Sequence, residues 1–304
     1  VITAKSGTPL SLIENTLAAQ GQELAFEPPR FSADSTLGGA IASGLSGPAR
    51  LAKGPVKDYL LGCTLLDGKA QVLHFGGVVM KNVAGYDVSR LMAGSLGTLG
   101  ILLDVSVKVL PKAVSEATLV FDWAADKANL QVNQWLSTPL PINASAHING
   151  RLYVRLRGAQ AALRNALQTM GGEVLNPDEA QGFWVSLRDQ THPFFTQPGP
   201  LWRLAVAPTG PMMDLPGEQL IEWAGGQRWY KPHNPELTEA DLTAVRGCAL
   251  QAKGHATLYR SPNPALRNFA FQAPEPVVMT IQRRLKQQFD PAGIFSMGRL
   301  APII

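Results

Sequence analysis

A chain of 304 residues with 45% hydrophobic and 16% charged side chains is long enough for about two domains, which excludes a mini-protein held together by disulfides or metal. Its 27 basic and 23 acidic residues leave a net charge of only +4. The cations do not cluster, which argues against nucleic-acid binding, and the tightest group, Arg283, Arg284 and Lys286, reads as a solvated helix face.

The opening Val1–Gly7 reads as the end of a strand and a turn, so the chain is expected to begin inside a domain. Leu10, Ile13, Leu17 and Ala18 then fall at helical spacing, with Gly21 as a stop. Residues 31–48 are rich in Gly, Ser and Ala. The runs 60–66 and 70–75, separated by Asp67-Gly68, predict a hairpin with a turn of the Asp-Gly kind. Alternation of Leu103, Val105, Val107 and Val109 with polar residues predicts a half-buried strand over 101–110, ended by Pro111.

Composition changes after Pro111, and a domain boundary is placed near 112. Strands are expected at 117–123, 152–156, 201–206 and 220–223, with a short one at 256–259. Helices are expected at 124–136, 159–170, 238–251 and 276–289. Strands with interleaved helices in this length fit an α+β layer better than a doubly wound parallel sheet. The turn Asp290-Pro-Ala-Gly293 would carry the tail back toward the rest of the protein.

Cys63 and Cys248 stand far apart with no metal-ligand spacing, so neither a disulfide framework nor a metal site is expected, and a reducing compartment fits. No apolar run approaches the roughly 20 residues that cross a bilayer.

Two stretches can carry chemistry. Ser35-Thr-Leu-Gly-Gly-Ala-Ile-Ala-Ser-Gly44 opens a helix with two glycines, where unpaired N–H groups would favour a pyrophosphate. A Gly/Ala helix that simply packs tightly on a sheet explains it equally well. Lys81-Asn-Val-Ala-Gly-Tyr-Asp87, followed by Gly94-Ser-Leu-Gly-Thr-Leu-Gly100, offers backbone that can press against a flat ligand while hydroxyls donate. An ordinary glycine-rich turn before a strand is the plain alternative, and Lys81 with Asp87 reads equally as a surface ion pair.

Taken together, residues 28–111 resemble the FAD-binding domain of flavoproteins of the vanillyl-alcohol oxidase, or PCMH, type. Within that superfamily, Pro28-Pro-Arg-Phe31, Gly44-Leu-Ser-Gly-Pro48, Phe75-Gly-Gly-Val-Val-Met-Lys-Asn-Val-Ala-Gly-Tyr-Asp-Val-Ser-Arg90 and Val107-Lys-Val-Leu-Pro-Lys112 are similar to the E-subunit family of glycolate oxidases. The likeness continues through Leu140-Pro-Ile-Asn-Ala-Ser145, Gln227-Arg-Trp229, Gly254-His-Ala-Thr-Leu258 and Phe289-Asp-Pro-Ala-Gly-Ile-Phe295, so it covers essentially the whole chain. The family's Gly-rich pyrophosphate loop is missing before Val1, so the chain looks N-terminally truncated. Ser296-Met replaces the family's Asn-Pro, and Glu222-Trp-Ala-Gly-Gly226 departs from its usual order of two glycines and then alanine.

The resemblance implies an α+β fold: a PCMH-type FAD-binding domain truncated at its N-terminus over 1–112, a smaller α+β cap or substrate domain over 113–285, and a segment over 286–304 returning to the first. FAD would be held by Thr36, Leu37, Gly38 and Gly39 at the pyrophosphate. Gly94, Ser95, Gly97, Thr98, Gly100 and Ile101 would line the adenosine and ribityl side, and Asn82 and Tyr86 are family-typical. The implied activity is oxidation of glycolate to glyoxylate in a complex with a D flavoprotein and an iron–sulfur F subunit. Location would be cytoplasmic, or peripheral at the inner face of the membrane through the complex. For a 2-hydroxy acid, Arg203, Arg228 or Arg260 would pair the carboxylate and His255 would take the hydroxyl proton; a structural histidine is the competing reading of His255. His74, His147, His192 and His233 read as structural or solvated. The chain has too few cysteines for iron–sulfur clusters, and the D subunit's His-rich, metal-associated motif does not occur in it, which points to catalysis mainly in a partner. Exposed tryptophans in the second domain would mark the partner surface, although core packing explains most of them equally well. A self-sufficient FAD-dependent oxidoreductase acting on another acid such as D-lactate, and a non-catalytic scaffold, are the alternatives.

Overall fold

The computed structural model describes residues 1–79, 87–295, 298 and 300. Two compact units result, one from 1–47, 53–112 and 273–304, the other from 48–52 and 113–272. The second, expected as the smaller part, takes the larger share of this chain. The C-terminal helix Pro276–Phe289 belongs wholly to the first unit, whereas the sequence reading cut the chain within it, after 285. Phe289 explains this: it packs against the first unit's core, 6.1 Å from the Phe75 ring.

In the first unit, strands β1 (Ile2–Lys5), β3 (Leu60–Leu66), β4 (Val72–Gly76) and β5 (Ile101–Val107) pair antiparallel in the order β1-β5-β3-β4. The short β2 (Gln22–Glu23) and β6 (Leu110–Pro111) pair separately. Leu10, Ile13 and Leu17 put one face of helix Leu10–Ala18 into a core with Leu37, Ile41, Leu65, Val105 and Val107. The β3–β4 connection is not a two-residue Asp-Gly turn. Leu66 pairs with Val72, and the Asp67 carboxylate closes the loop between them by accepting the N–H groups of Lys69 and Gln71.

The second unit is built on β7 (Ser115–Asp122), β8 (Ile142–Ile148), β9 (Arg151–Gly158), β10 (Glu173–Val174), β11 (Leu201–Ala205), β12 (Gly217–Glu222), β13 (Gln227–Pro232) and β14 (His255–Arg260). They form one sheet, order β10-β7-β9-β8-β12-β13-β11-β14, in which every pairing is antiparallel. Helices Ala125–Leu136, Gln160–Met170 and Glu239–Gln251 pack on one face, while helix Pro177–Arg188 lies on the other through Trp184 and Leu187. The fold is α+β, since strands that run antiparallel throughout need no crossover helices.

Two expectations are corrected. The tryptophans are buried or partly buried, five of them in the hydrophobic clusters, so core packing rather than an exposed partner surface accounts for them. Lys286 is not on a solvated face but is 6% exposed and ion-paired. Finally, β8, β13 and helix Pro177–Arg188 went unpredicted.

Candidate functional site

In the first unit, Thr36 caps helix Leu37–Ser43 by accepting the Gly39 N–H at 3.2 Å. The next donors are not free for an anion. Leu37 N donates to Thr8 O at 3.0 Å and Gly38 N to Ser6 O at 2.8 Å, which corrects the expectation of unpaired N–H groups at this helix start. Gly38 is required here, because a Cβ would lie 2.5 Å from the Ser6 Cβ. The Leu37 side chain is fully buried in the core.

The helix ends at Gly44, where φ of 68° and a Gly94 Cα that would lie 2.8 Å from a Cβ both demand glycine. Gly94 N donates to Ile41 O at 3.0 Å and Leu96 N to Ala42 O at 2.8 Å, so the two small-residue strips are joined directly. Within the second strip, Ser95 O accepts the Thr98 hydroxyl at 2.7 Å and Thr98 O accepts Lys286 Nζ at 2.7 Å. Gly97 lies inside this turn at φ 73°, Gly100 leads into β5, and Ile101, half exposed, pairs with Leu66. Asn82 and Tyr86, like Lys81, lie outside the described residues. Asp87 instead pairs with Arg90 at 2.8 Å.

An FAD group fits this surface at one further point. The Ser6 hydroxyl is buried without a hydrogen-bond partner among the described residues, and the space beside the Gly7 Cα is open for at least 4 Å. Such a hydroxyl costs stability until a ligand oxygen pairs with it. The glycines thus serve two ends: Gly38 and Gly44 close the protein on itself, and Gly7 leaves room.

In the second unit, the sequence candidates separate by strand parity. Arg228 lies on the face of Trp202, Leu204 and Tyr230, fully buried, with Nε donating to Gly225 O, Nη2 to Gly210 O at 2.8 Å and Nη1 to Pro211 O. Each of its three nitrogens donates to a backbone carbonyl inside the core, which ties the side chain down as a structural group rather than a carboxylate partner. Arg260 donates to Phe195 O at 2.6 Å and Gln197 O at 3.4 Å, which ties it to the C-terminal end of helix Pro193–Thr196.

Arg203 and His255 project from the opposite face. Cross-strand register sets His255, Ala205, Gln227 and Glu222 in one row and Thr257, Arg203, Trp229 and Leu220 in the next. Ala205 contributes only a methyl, leaving room between the imidazole and the guanidinium. Arg203 Nε donates to Gln227 Oε1 at 2.7 Å, Gln227 Nε2 to Glu222 Oε2 at 2.9 Å, and Trp229 Nε1 to the same oxygen at 2.7 Å. The Trp223 indole, on the turn after β12, lies 4.5 Å from the Arg50 guanidinium and 5.7 Å from that of Arg203.

Burial, and then the Arg50 charge, push the Arg203 guanidinium down to about 10, against the pull of Tyr259 and Glu222. It remains a cation at pH 7. Burial and the Arg203 charge hold the His255 imidazole below its ordinary value, so it stands neutral at pH 7 with a lone pair to accept a proton. Arg50, Glu222, Trp223 and Gln227 were missed by sequence reasoning; strand register supplies Glu222 and Gln227, but Arg50 is remote in the chain. Among the described residues, no group of His, Cys, Asp or Glu could hold a metal ion.

The family described as FAD binding domain matches residues 1–89. Glycolate oxidase subunit GlcE of Escherichia coli (strain K12) is 41% identical over 300 residues, 99% of this chain and 81% of that protein. Glycolate oxidase subunit GlcD of Bacillus subtilis (strain 168) is 36% identical over 104 residues, 34% of this chain and 22% of that one. The solved structure of an alkyldihydroxyacetonephosphate synthase superposes with a TM-score of 0.62 at 14% identity, covering 96% of this chain and 64% of the synthase, which shows a shared fold.

Proposed function

The chain belongs to the family of glycolate oxidase E subunits, and on that premise we propose that it is the FAD-binding subunit of a complex oxidising glycolate to glyoxylate. Its partners in this reading are a D flavoprotein subunit and an iron–sulfur F subunit that takes the electrons away. The observation that carries the reading is the junction of segments 36–44 and 94–98 beside the Ser6 hydroxyl, in a chain that matches one glycolate oxidase subunit nearly end to end.

FAD is the cofactor of this flavoprotein oxidoreductase. When bound, it accepts a hydride and releases electrons one at a time. In the proposal, Ser6, Gly7, Thr36, Leu37, Gly38 and Gly39 hold its diphosphate side, the helix start acting by close approach rather than by donating N–H groups. Gly94, Ser95, Gly97, Thr98, Gly100 and Ile101 line the remainder, with Asn82 and Tyr86 as family-typical additions. In the second unit, neutral His255 accepts the hydroxyl proton of the 2-hydroxy acid as the carbon-bound hydrogen leaves with its electron pair. Catalysis is shared with the D subunit. No helix of the described residues is long and apolar enough to cross a membrane, and any membrane association in this reading is peripheral, through the complex.

The test uses the full-length chain reconstituted with FAD, alone and with its D subunit, under anaerobic glycolate. Retained yellow flavin that bleaches rapidly only in the presence of the partner is the expected result. Rapid bleaching of the chain alone would replace the subunit reading with a self-sufficient oxidoreductase, and failure to retain flavin would leave a scaffold.

A further inference from the structure

The Lys286 ammonium has three hydrogens, and three acceptors meet it, one each from the glycine-rich strip, the helix end and the tail: Thr98 O at 2.7 Å, Asp290 Oδ2 at 2.6 Å and Phe295 O at 2.7 Å. The carboxylate that balances it also accepts Ile294 N at 2.9 Å and Phe295 N at 2.8 Å. The β3–β4 loop fixes this group against the sheet. Gly68 N donates to Phe289 O at 2.8 Å, and a Cβ on Gly68 would lie 2.4 Å from Asp290 Oδ1. A buried ion pair adds little net stability over apolar side chains of the same volume. What this ammonium contributes is geometry, since it draws the carbonyls of two distant segments to one point.

The carbonyl it holds on the strip belongs to a strained turn. Thr98 N donates to Ser95 O at 3.0 Å, closing Ser95-Leu-Gly-Thr98 as a β-turn whose central residues both have positive φ, 52° at Leu96 and 73° at Gly97. Gly97 adopts that conformation freely, whereas Leu96, with its Cβ, resists it. Ties on both sides keep the turn in shape. Leu96 N donates to Ala42 O at 2.8 Å, on helix Leu37–Ser43, and Thr98 O accepts Lys286 Nζ. Strain over-determined by its surroundings is characteristic of positions that hold a ligand, and this turn lies within the strip 94–101 proposed to line FAD.

We propose that Lys286 is a positioning residue for the cofactor: through Thr98 O it fixes the Ser95–Thr98 turn in the shape that receives FAD, and through Asp290 and Phe295 it couples that shape to the end of the C-terminal helix and the tail. It acts through Thr98 rather than on the flavin, because its three hydrogens are engaged within the protein. This rests on the reading of the chain as an FAD-binding subunit and adds a residue, outside the cofactor surface, that governs affinity. The coupling runs both ways, since a tie that strengthens FAD binding is strengthened by FAD in return.

The test follows FAD binding to the full-length chain by quenching of flavin fluorescence, with a urea midpoint measured for each variant. Lys286→Met, Asp290→Leu leaves no buried charge unpaired, so most of the midpoint lost in Lys286→Met should return while FAD affinity stays at least about tenfold weaker than wild type. Asp290→Asn keeps the ammonium on both carbonyls and should show the reverse, a lower midpoint with affinity within about threefold of wild type. In the wild type, saturating FAD should slow hydrogen exchange at the Ile294 and Phe295 amides that donate to Asp290, a readout that needs no variant. A folded double variant that binds FAD as tightly as the wild type, affinity that falls in step with the midpoint across the variants, or exchange unchanged by FAD overturns the positioning role alone. Wild type that takes up no FAD refutes the FAD-subunit reading, and this role with it.

Discussion

Arg203 and Arg228 are both arginines on paired strands, and one-residue parity gives them opposite fates. Arg228 turns into the face where helix Glu239–Gln251 packs and supplies the carbonyls of Gly210, Pro211 and Gly225; Arg203 turns to the other face, beside a neutral histidine. Removing the first should therefore damage stability and leave ligand recognition alone. Arg228→Met strands three carbonyls, and at about 1–3 kcal/mol for a buried unsatisfied group, only partly additive, the variant should lose about 2–4 kcal/mol in urea unfolding. Its glycolate affinity should match the wild type; a tenfold loss in a folded variant would restore Arg228 as a ligand residue. At the same scale, Cys63 is no nucleophile: burial, and then Asp104 and Asp87, push its thiol up to about 12.

Elements here were legible where one local force dominates. Helix Glu239–Gln251 was expected from 238, and Thr238 is its cap: the hydroxyl accepts Asp241 N while the Asp241 carboxylate accepts Thr238 N at 2.8 Å. The Thr238 N–H and then its hydroxyl, both donating to that carboxylate, hold the Asp241 carboxyl below the usual carboxylate range. Thr238→Ala should cost about 1 kcal/mol, read as a lower unfolding midpoint, and Thr238→Ser should recover most of it. Strands β8 and β13 were invisible for the opposite reason. Every residue of β8 is buried, including Asn143, Ser145 and His147, and β13 buries Gln227, Arg228 and Lys231. Polar residues inside a sheet erase the alternation that marks a strand, and only distant partners, such as Arg155 for Asn143 at 2.7 Å, make their burial tolerable.

Across the whole molecule, one buried ion pair joins segments far apart in the chain. Lys286 Nζ donates to Asp290 Oδ2 at 2.6 Å, to Phe295 O and, 188 residues back, to Thr98 O, both at 2.7 Å. Burial pushes the Asp290 carboxyl up, but the Lys286 bond and the N–H groups of Phe295 and Ile294 outweigh it and hold the carboxyl below the ordinary value. A carboxylate depressed in the folded state adds stability above its unfolded pKa of about 4 and loses it as pH falls through the folded value. Lys286→Met should cost about 3–5 kcal/mol, because it leaves Asp290 charged and buried. The double variant Lys286→Met, Asp290→Leu should regain much of that and lose this part of the acid destabilisation, as urea titrations between neutral and acid pH would measure. The sequence by itself determined the amphipathic helix faces, the hairpin, and the glycine-rich strips with their resemblance to FAD-binding domains, because each is written in neighbouring residues. Tertiary structure alone decided that the helix-start donors are spent on Ser6 and Thr8, that Lys286 is interior, and that Arg50 meets Arg203 over Trp223. Those outcomes depend on which distant atoms arrive within about 3–6 Å, the range over which hydrogen bonds and cation–ring contacts act, and no local pattern encodes such arrivals.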